Sequence, residues 1–266
     1  VSVGVVGQDV SMTRAGGLAR GPFLRDVHAD GLPGSGWPFD VPAVRALADG
    51  DGLDLDHRVV VLCGDNGSGK STIIEAIAAA SGLNPEGGSR NFSFTTRDTA
   101  NPLADHLRVV RHPGRRPRGG FFLRAESYFN VASEIERLDR DPGSPPLLPT
   151  YGGVSPHERS HGESFLDLVT HRFGSSGLYV LDEPEAALSV TGCLALLARI
   201  VELAEQGSQF LVATHSPVLL AVPGAVIYQL DESGYSRVEY DDASPVVTMR
   251  AFLAAPDRFL HRLQAD

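Results

Sequence analysis

The sequence is almost without lysine: Lys70 stands alone against 22 arginines in 266 residues. A chain that uses arginine everywhere else places a compact ammonium here for a chemical reason, because the two cations are not interchangeable at a tight site. Cysteine is also scarce. Cys63 and Cys193 make no disulfide framework, and this usage suits a reducing, cytoplasmic compartment. No apolar run approaches the roughly 18 residues that span a bilayer, so no membrane segment is expected. Gln8 and Asp9 fall where a signal peptide would need an apolar stretch. Positive charge is in deficit, with a formal net charge of −10. That disfavours a generally basic nucleic-acid binder but leaves room for a local basic face. What is present is ordinary globular composition, 42% hydrophobic and 21% charged, which excludes a disordered or collagen-like chain. There is no internal repeat.

Residues 1–20 read as a loose tail rich in Gly, Ser and Arg, followed by a single domain over 21–266. A short strand is expected at Phe23–Val27, a Pro- and Gly-rich loop over 31–42, and a helix at Val41–Ala48. Val59-Val60-Val61-Leu62-Cys63 is the clearest strand, an unbroken apolar run of the kind buried in parallel sheets. A helix over Lys70–Ala80 places Ile73, Ile74, Ile77 and Ala78 on one face, and Gly82 suits its C-terminal stop. Residues 91–125 alternate like antiparallel strands, at Phe92–Thr96, Leu107–Arg111 and Phe121–Arg124. A helix is expected over 129–140 and a proline-rich loop over 141–159. Helix and strand then alternate at Glu163–Phe173, Leu178–Leu181, Thr191–Gln206 and Phe210–Ala213. Strands at Ala225–Gln229 and Arg237–Tyr240 and helices near 247–254 and 257–264 complete the chain. Strands alternating with helices predict an α/β fold, a mostly parallel sheet covered on both faces, with an added antiparallel piece.

Gly64-Asp65-Asn66-Gly67-Ser68-Gly69-Lys70-Ser71 matches G-x-x-x-x-G-K-[ST], placed after a predicted strand and opening a predicted helix. The glycines let backbone N–H groups wrap around phosphates, and the helix N-terminus adds partial positive charge. Lys70 would reach the β- and γ-phosphates, and the Ser71 hydroxyl would bind Mg²⁺. Leu178-Tyr179-Val180-Leu181 ends in Asp182 and Glu183. At the C-terminal edge of a neighbouring strand, Asp182 would hold the metal and Glu183 would polarise the attacking water. The bland alternative is a pair of acids favoured by a helix dipole. A third strand, Phe210–Ala213, ends in Thr214-His215-Ser216-Pro217, where His215 can contact a γ-phosphate and Ser216 can start a short helix. Ser160, three residues before Glu163, forms a capping box whose N–H groups could meet a phosphate.

These residues resemble the ABC-type ATPases, on their soluble side with the SMC- and RecF-like proteins. Gly64–Ser71 looks like a Walker A motif, Leu178–Glu183 like a Walker B motif with its glutamate, Pro184–Ser189 like the D-loop, and His215 like the switch histidine. Ser160-His161-Gly162-Glu163-Ser164 resembles a degenerate ABC signature. Compact bacterial ATPases of the "AAA family" share Gly64–Thr72, Arg124-Ala125-Glu126, residues 160–164, Ala213–Pro217 and the segment Arg250–Pro256. The resemblance spans about residues 23–264. It implies a P-loop NTPase fold of ABC-ATPase type, with a small helical portion around 126–173. It implies binding and Mg²⁺-dependent hydrolysis of ATP, with Lys70, Glu183 and His215 in catalysis. Gly64, Asp65, Asn66, Gly67, Ser68, Gly69, Lys70, Ser71, Thr72, Ser160 and Gly162 would contact nucleotide. Ser71, Asp182 and Glu126 would face the metal. A head-to-tail homodimer closing over two ATP molecules is implied too. His161 replaces a signature glycine, Glu126 stands at the Q-loop glutamine position, and Ser189 stands where a D-loop aspartate is usual.

Two other functions are open at this point. One is the ATPase subunit of an ABC transporter, which the Glu126 departure argues against. The other is an ATP-dependent nucleic-acid-binding module, for which the run Arg108, Arg111, His112, Arg115, Arg116 and Arg118 would supply phosphate contacts. The alternative for that run is a solvated loop tip. Trp37 or Phe39 is a candidate for stacking on adenine, with core packing as the alternative. Only 88 residues separate Ser71 from Ser160, with no heptad pattern, so the long coiled-coil arms of SMC proteins are not expected.

Overall fold

In the computed structural model the described residues are 21–84, 101–125 and 161–263. The strand expected at Phe92–Thr96, the helix over 129–140, the loop over 141–159, the tail over 1–20, Glu126 and Ser160 lie outside them.

Among the described residues nine strands form two sheets. The larger has the order β5-β6-β7-β3-β8-β9, built from Gly119–Arg124 (β5), Gly177–Asp182 (β6), Gln209–Ala213 (β7), Val59–Gly64 (β3), Val226–Asp231 (β8) and Gly234–Val238 (β9). Its first five strands are parallel, and β9 turns back antiparallel on β8. The smaller sheet, β2-β1-β4, is antiparallel and consists of Leu53–Asp54 (β2), Leu24–Ala29 (β1) and Leu107–Arg111 (β4). The helices among the described residues are α1 (Pro42–Asp49), α2 (Lys70–Ala80), α3 (His161–Arg172), α4 (Val190–Glu205), α5 (Pro217–Leu220), α6 (Ser244–Ala254) and α7 (Pro256–Leu263).

Alternation along each parallel strand divides the core in two. Val59, Val61 and Cys63, with Phe121, Tyr179, Leu181, Phe210 and Val212, face α3 and α4. Val60 and Leu62, with Phe122, Leu178, Val180, Leu211 and Ala213, face α1, α2 and the small sheet. Every residue of β3, β6 and β7 is buried. Strands covered on both faces have no polar side to show, which is why their sequences run apolar without a break.

One expectation needs correction. Phe121–Arg124 is not antiparallel: β5 pairs in parallel with β6, from Gly119 opposite Gly177 to Arg124 opposite Asp182. Phe121 and Phe122 enter opposite core layers, so the run is a doubly covered strand whose short length resembled alternation. The antiparallel reading does hold for Leu107–Arg111, which pairs with β1.

A buried amide ties the two sheets together. Gln209, at the start of β7, is fully buried. Its Oε1 accepts from the Phe23 and Leu24 N–H groups at 2.8 and 2.9 Å. Its Nε2 donates to the carbonyls of Leu24, Leu55 and His57 at 3.1, 2.7 and 3.2 Å. Gln209→Leu leaves two buried donors without acceptors, each costing about 1–3 kcal/mol. The expected loss is about 3 kcal/mol or more, read from the midpoint of chemical denaturation at unchanged m.

Candidate functional site: a phosphate-type loop and the acidic end of a nearby strand

The site lies at the C-terminal ends of β3, β6 and β7, where an open parallel sheet holds its ligands. Residues 64–69 leave β3 and enter α2 through three glycines with positive φ: Gly64 at 139°, Gly67 at 81° and Gly69 at 99°. Gly64 passes so close to β8 that an added Cβ would lie 2.2 Å from the Leu230 carbonyl oxygen. At Gly69, a Cβ would lie 2.7 Å from Val41. Gly67 has nothing within 4 Å and forms the open lip of the loop.

Lys70 begins α2 and is only 3% exposed. Its Nζ donates to the carbonyls of Gly64 and Asp65, each at 3.0 Å, so the side chain folds back across the loop. Burial pushes the ammonium below the ordinary lysine range, and the nearby charges of Glu183 and Asp182 oppose that shift. Ser68 Oγ is buried and has no hydrogen-bond partner. An open groove of about 780 Å³ runs from this loop to the β8–β9 turn, past Pro42, Asp65, Ser68, Leu230, Asp231 and Ser233.

Asp182 ends β6. Sheet register places it beside Ala213, which lies beside Leu62. One strand therefore separates Asp182 from β3, about 10 Å between backbones. Asp182 is 1% exposed, and Arg124 Nε lies 3.2 Å from its Oδ2. Arg124 also lies 3.6 Å from Glu75 on α2. Burial raises the Glu75 carboxyl above the usual range, and Arg124 opposes it. Ser71 and Glu75, four residues apart on α2, lie on one helix face.

Glu183 departs from ordinary backbone geometry, with φ 46° and ψ 50°. A side chain in the left-handed region costs about 1–2 kcal/mol. The position is held by its N–H donating to the Ala213 carbonyl at 2.9 Å and by the 3-10 turn Pro184–Ala187 that follows. Its Oε1 lies 3.4 Å from His215 Nε2. The pair is within ion-pair range, yet the Nε2 makes no aligned hydrogen bond. A carboxylate and an imidazole so placed can together order a water and accept its proton.

The structure thus brings together Gly64 to Thr72, Asp182, Glu183 and His215. Gly162 lies in the first turn of α3, where a Cβ would come 3.2 Å from the Ala187 carbonyl, so the segment abuts the 3-10 turn after Glu183. Ser189, at the D-loop aspartate position, caps α4 by accepting from the Gly192 N–H at 3.1 Å. Phe39 is buried edge-on against His106, which favours core packing for it, whereas Trp37 is 71% exposed. In the basic run, Arg108 pairs with Asp30 at 3.1 Å and Arg115 donates to the Pro22 carbonyl at 3.4 Å. Three neighbours were missed from the sequence: Glu75, Glu185, and the pairing role of Arg124. The four-residue step from Ser71 could have found Glu75; nothing local marks Glu185.

Two family models match the chain. An AAA-domain model matches residues 43–111. A second AAA-domain model, whose description also names an AbiEii toxin of a type IV toxin–antitoxin system, matches residues 150–221. None of the curated proteins matches. Among solved structures the chain is similar to the SMC head domain from Thermotoga maritima. The identity is 14%, over 81% of this chain and 98% of that one, with a TM-score of 0.41. It is similar also to an SMC head bound to the C-terminal winged-helix domain of ScpA, at 15% identity over 82% and 98%, TM-score 0.44. A nucleotide-free ATP-binding cassette from an ABC transporter shares 17% identity over 82% and 92%, TM-score 0.41. The two AAA-domain matches take in the phosphate-type loop, the two acids at the end of β6, and His215.

Proposed function

We propose that the chain binds ATP with Mg²⁺, hydrolyses it, and does so as a head-to-tail homodimer enclosing two nucleotides. The observation that carries the reading is the buried Lys70 ammonium lying across the loop, within the field of Glu183 and Asp182. The loop N–H groups of residues 64–72 cradle the phosphates, with the buried, unpartnered Ser68 hydroxyl as a ready donor. Lys70 exchanges its two carbonyl acceptors for phosphate oxygens. Developing charge on the transferred phosphoryl is then met by a cation already desolvated and in place. Glu183 orients the attacking water, and His215 faces the same water or the γ-phosphate.

The donors suit Mg²⁺. That ion takes hard oxygen ligands and commonly uses one or two protein groups with phosphates and waters. Ser71 and Asp182 would hold it, and Arg124 already sets a positive charge beside that carboxylate. When bound, the ion would neutralise charge on the β- and γ-phosphates. Glu126 is assigned to the same metal and Ser160 to the partner's nucleotide; both lie outside the described residues. Gly162, at the head of α3, would meet the partner's nucleotide through its N–H. Two exposed apolar residues at the head of α4, Val190 and Leu194 at 70% and 54% exposure, support an interface on this side. Nothing in the pairing of Arg108 and Arg115 favours the nucleic-acid alternative. Among the described residues no helix is long and apolar enough to cross a membrane.

The test is ATP turnover measured against protein concentration, with Mg²⁺ and with EDTA. The expected result is a rate per molecule that climbs with concentration and is lost in EDTA. Lys70→Ala is expected to turn over at least about 10²-fold more slowly, having lost the group that meets transition-state charge. A flat rate indifferent to concentration and to Lys70→Ala would sink the reading of a dimerising hydrolase.

A further inference from the structure

The loop that carries His215 is held by a residue of the turn that follows Glu183. Glu185, in the 3-10 turn after Glu183, accepts the backbone N–H of His215 on Oε1 at 2.5 Å. This is a charge-assisted bond, the stronger kind, and it crosses from the end of β6 to the end of β7. His215 is thereby fixed at its backbone, with its imidazole beside the first acid of the same turn. Its backbone is tied to Glu185, and its Nε2 stands 3.4 Å from Glu183. The arrangement has a cost. Glu185 Oε2 is buried without a hydrogen-bond partner, and an unsatisfied buried acceptor loses about 1–3 kcal/mol. The carboxylate thus commits one oxygen to the backbone N–H of the histidine loop and leaves the other buried and unsatisfied.

We propose that Glu185 is a positioning residue for hydrolysis: its carboxylate sets the His215 backbone so that the imidazole faces Glu183. This rests on the hydrolase reading above. A displacement of about 1 Å at such a site costs on the order of 10²-fold in rate. Substrate binding, which the reading assigns to residues 64–72, would be left alone.

The experiment compares wild type, Glu185→Ala, Glu185→Gln and Glu185→Asp in two ways. The first is kcat and KM for MgATP. The second is the His215 backbone amide proton shift in ¹⁵N-histidine-labelled full-length protein, assigned through His215→Asn. A strong hydrogen bond to a carboxylate holds that proton downfield. Glu185→Ala is expected to lower kcat by about 10²-fold with KM unchanged and to move the amide proton upfield. Glu185→Gln keeps an oxygen acceptor at the same reach, so it recovers most of kcat and a downfield shift. Glu185→Asp, one methylene short, falls between them. If Glu185→Ala matches wild type in kcat, raises KM alone, or leaves the amide shift in place, the proposal is overturned. Equal impairment of the Gln and Ala variants overturns it too, since acceptor geometry would then not be the cause. If Ala fails to fold, the Gln and Asp comparison decides. If wild type itself turns over no ATP, the hydrolase reading fails separately. The positioning assignment goes down with its kinetic purpose, while the amide shift still reports whether Glu185 holds the loop.

Discussion

Glu183→Gln is expected to lower kcat for ATP by about 10²–10⁴-fold, the range for loss of a positioned general base. The amide keeps the shape of the side chain and its reach toward His215, 3.4 Å away, but accepts no proton from water. Binding should survive, because Lys70 and the loop are untouched; KM or a directly measured Kd therefore stays near wild type. With turnover blocked and ATP retained, gel filtration with MgATP should show dimers that wild type forms only in passing. The same position allows a second, opposed readout. Its left-handed backbone, φ 46°, strains any side chain, and glycine relieves about 1 kcal/mol of that strain. Glu183→Gly should then be at least as stable as wild type while being inactive. Strain kept at a residue whose removal stabilises the protein is strain held for function. A Glu183→Gly protein that is both less stable and still active would overturn the assignment.

Gly64→Ala is expected to be the most damaging single methyl group in the phosphate loop. The new Cβ would lie 2.2 Å from the Leu230 carbonyl oxygen, at a φ of 139° that side chains rarely adopt. The obstacle is the backbone of β8, hydrogen-bonded to both β3 and β9, so it cannot swing aside as a flexible side chain would. Clash and strain contribute about 1–3 kcal/mol each. A combined loss near 4 kcal/mol corresponds to a fall in Tm of roughly 10 °C for a chain of this size. Gly67→Ala is the control: its φ is 81°, with nothing within 4 Å of the added methyl. It should lose only about 1–2 kcal/mol from left-handed strain. Thermal melts of the two variants side by side check the contrast. Equal losses would mean that close approach to Leu230 contributes nothing.

Much of this protein was legible in its residues. The unbroken apolar runs of β3, β6 and β7 announced a doubly covered parallel sheet, because burial on both faces leaves no polar alternation. The phosphate loop could be read directly, since glycines, one lysine and a following helix form a local device whose parts are neighbours in the chain. The acids after β6 and the histidine after β7 were legible for a similar reason: each ends an apolar strand, and parallel strands bring like ends together. What the sequence could not determine depends on groups far apart in the chain. The parallel pairing of β5 was set by its partner β6, and Gln209 became a tie between sheets only when β1 and β7 met some 185 residues apart. Arg124 joined Asp182 to Glu75 only through sheet register and helix packing. Glu185 looked like one more acid in a turn until the fold set its carboxylate against the His215 amide, 30 residues on. Local chemistry follows from local sequence. Which distant hydrogen bond a buried carboxylate makes is settled only when packing excludes water and leaves it one donor.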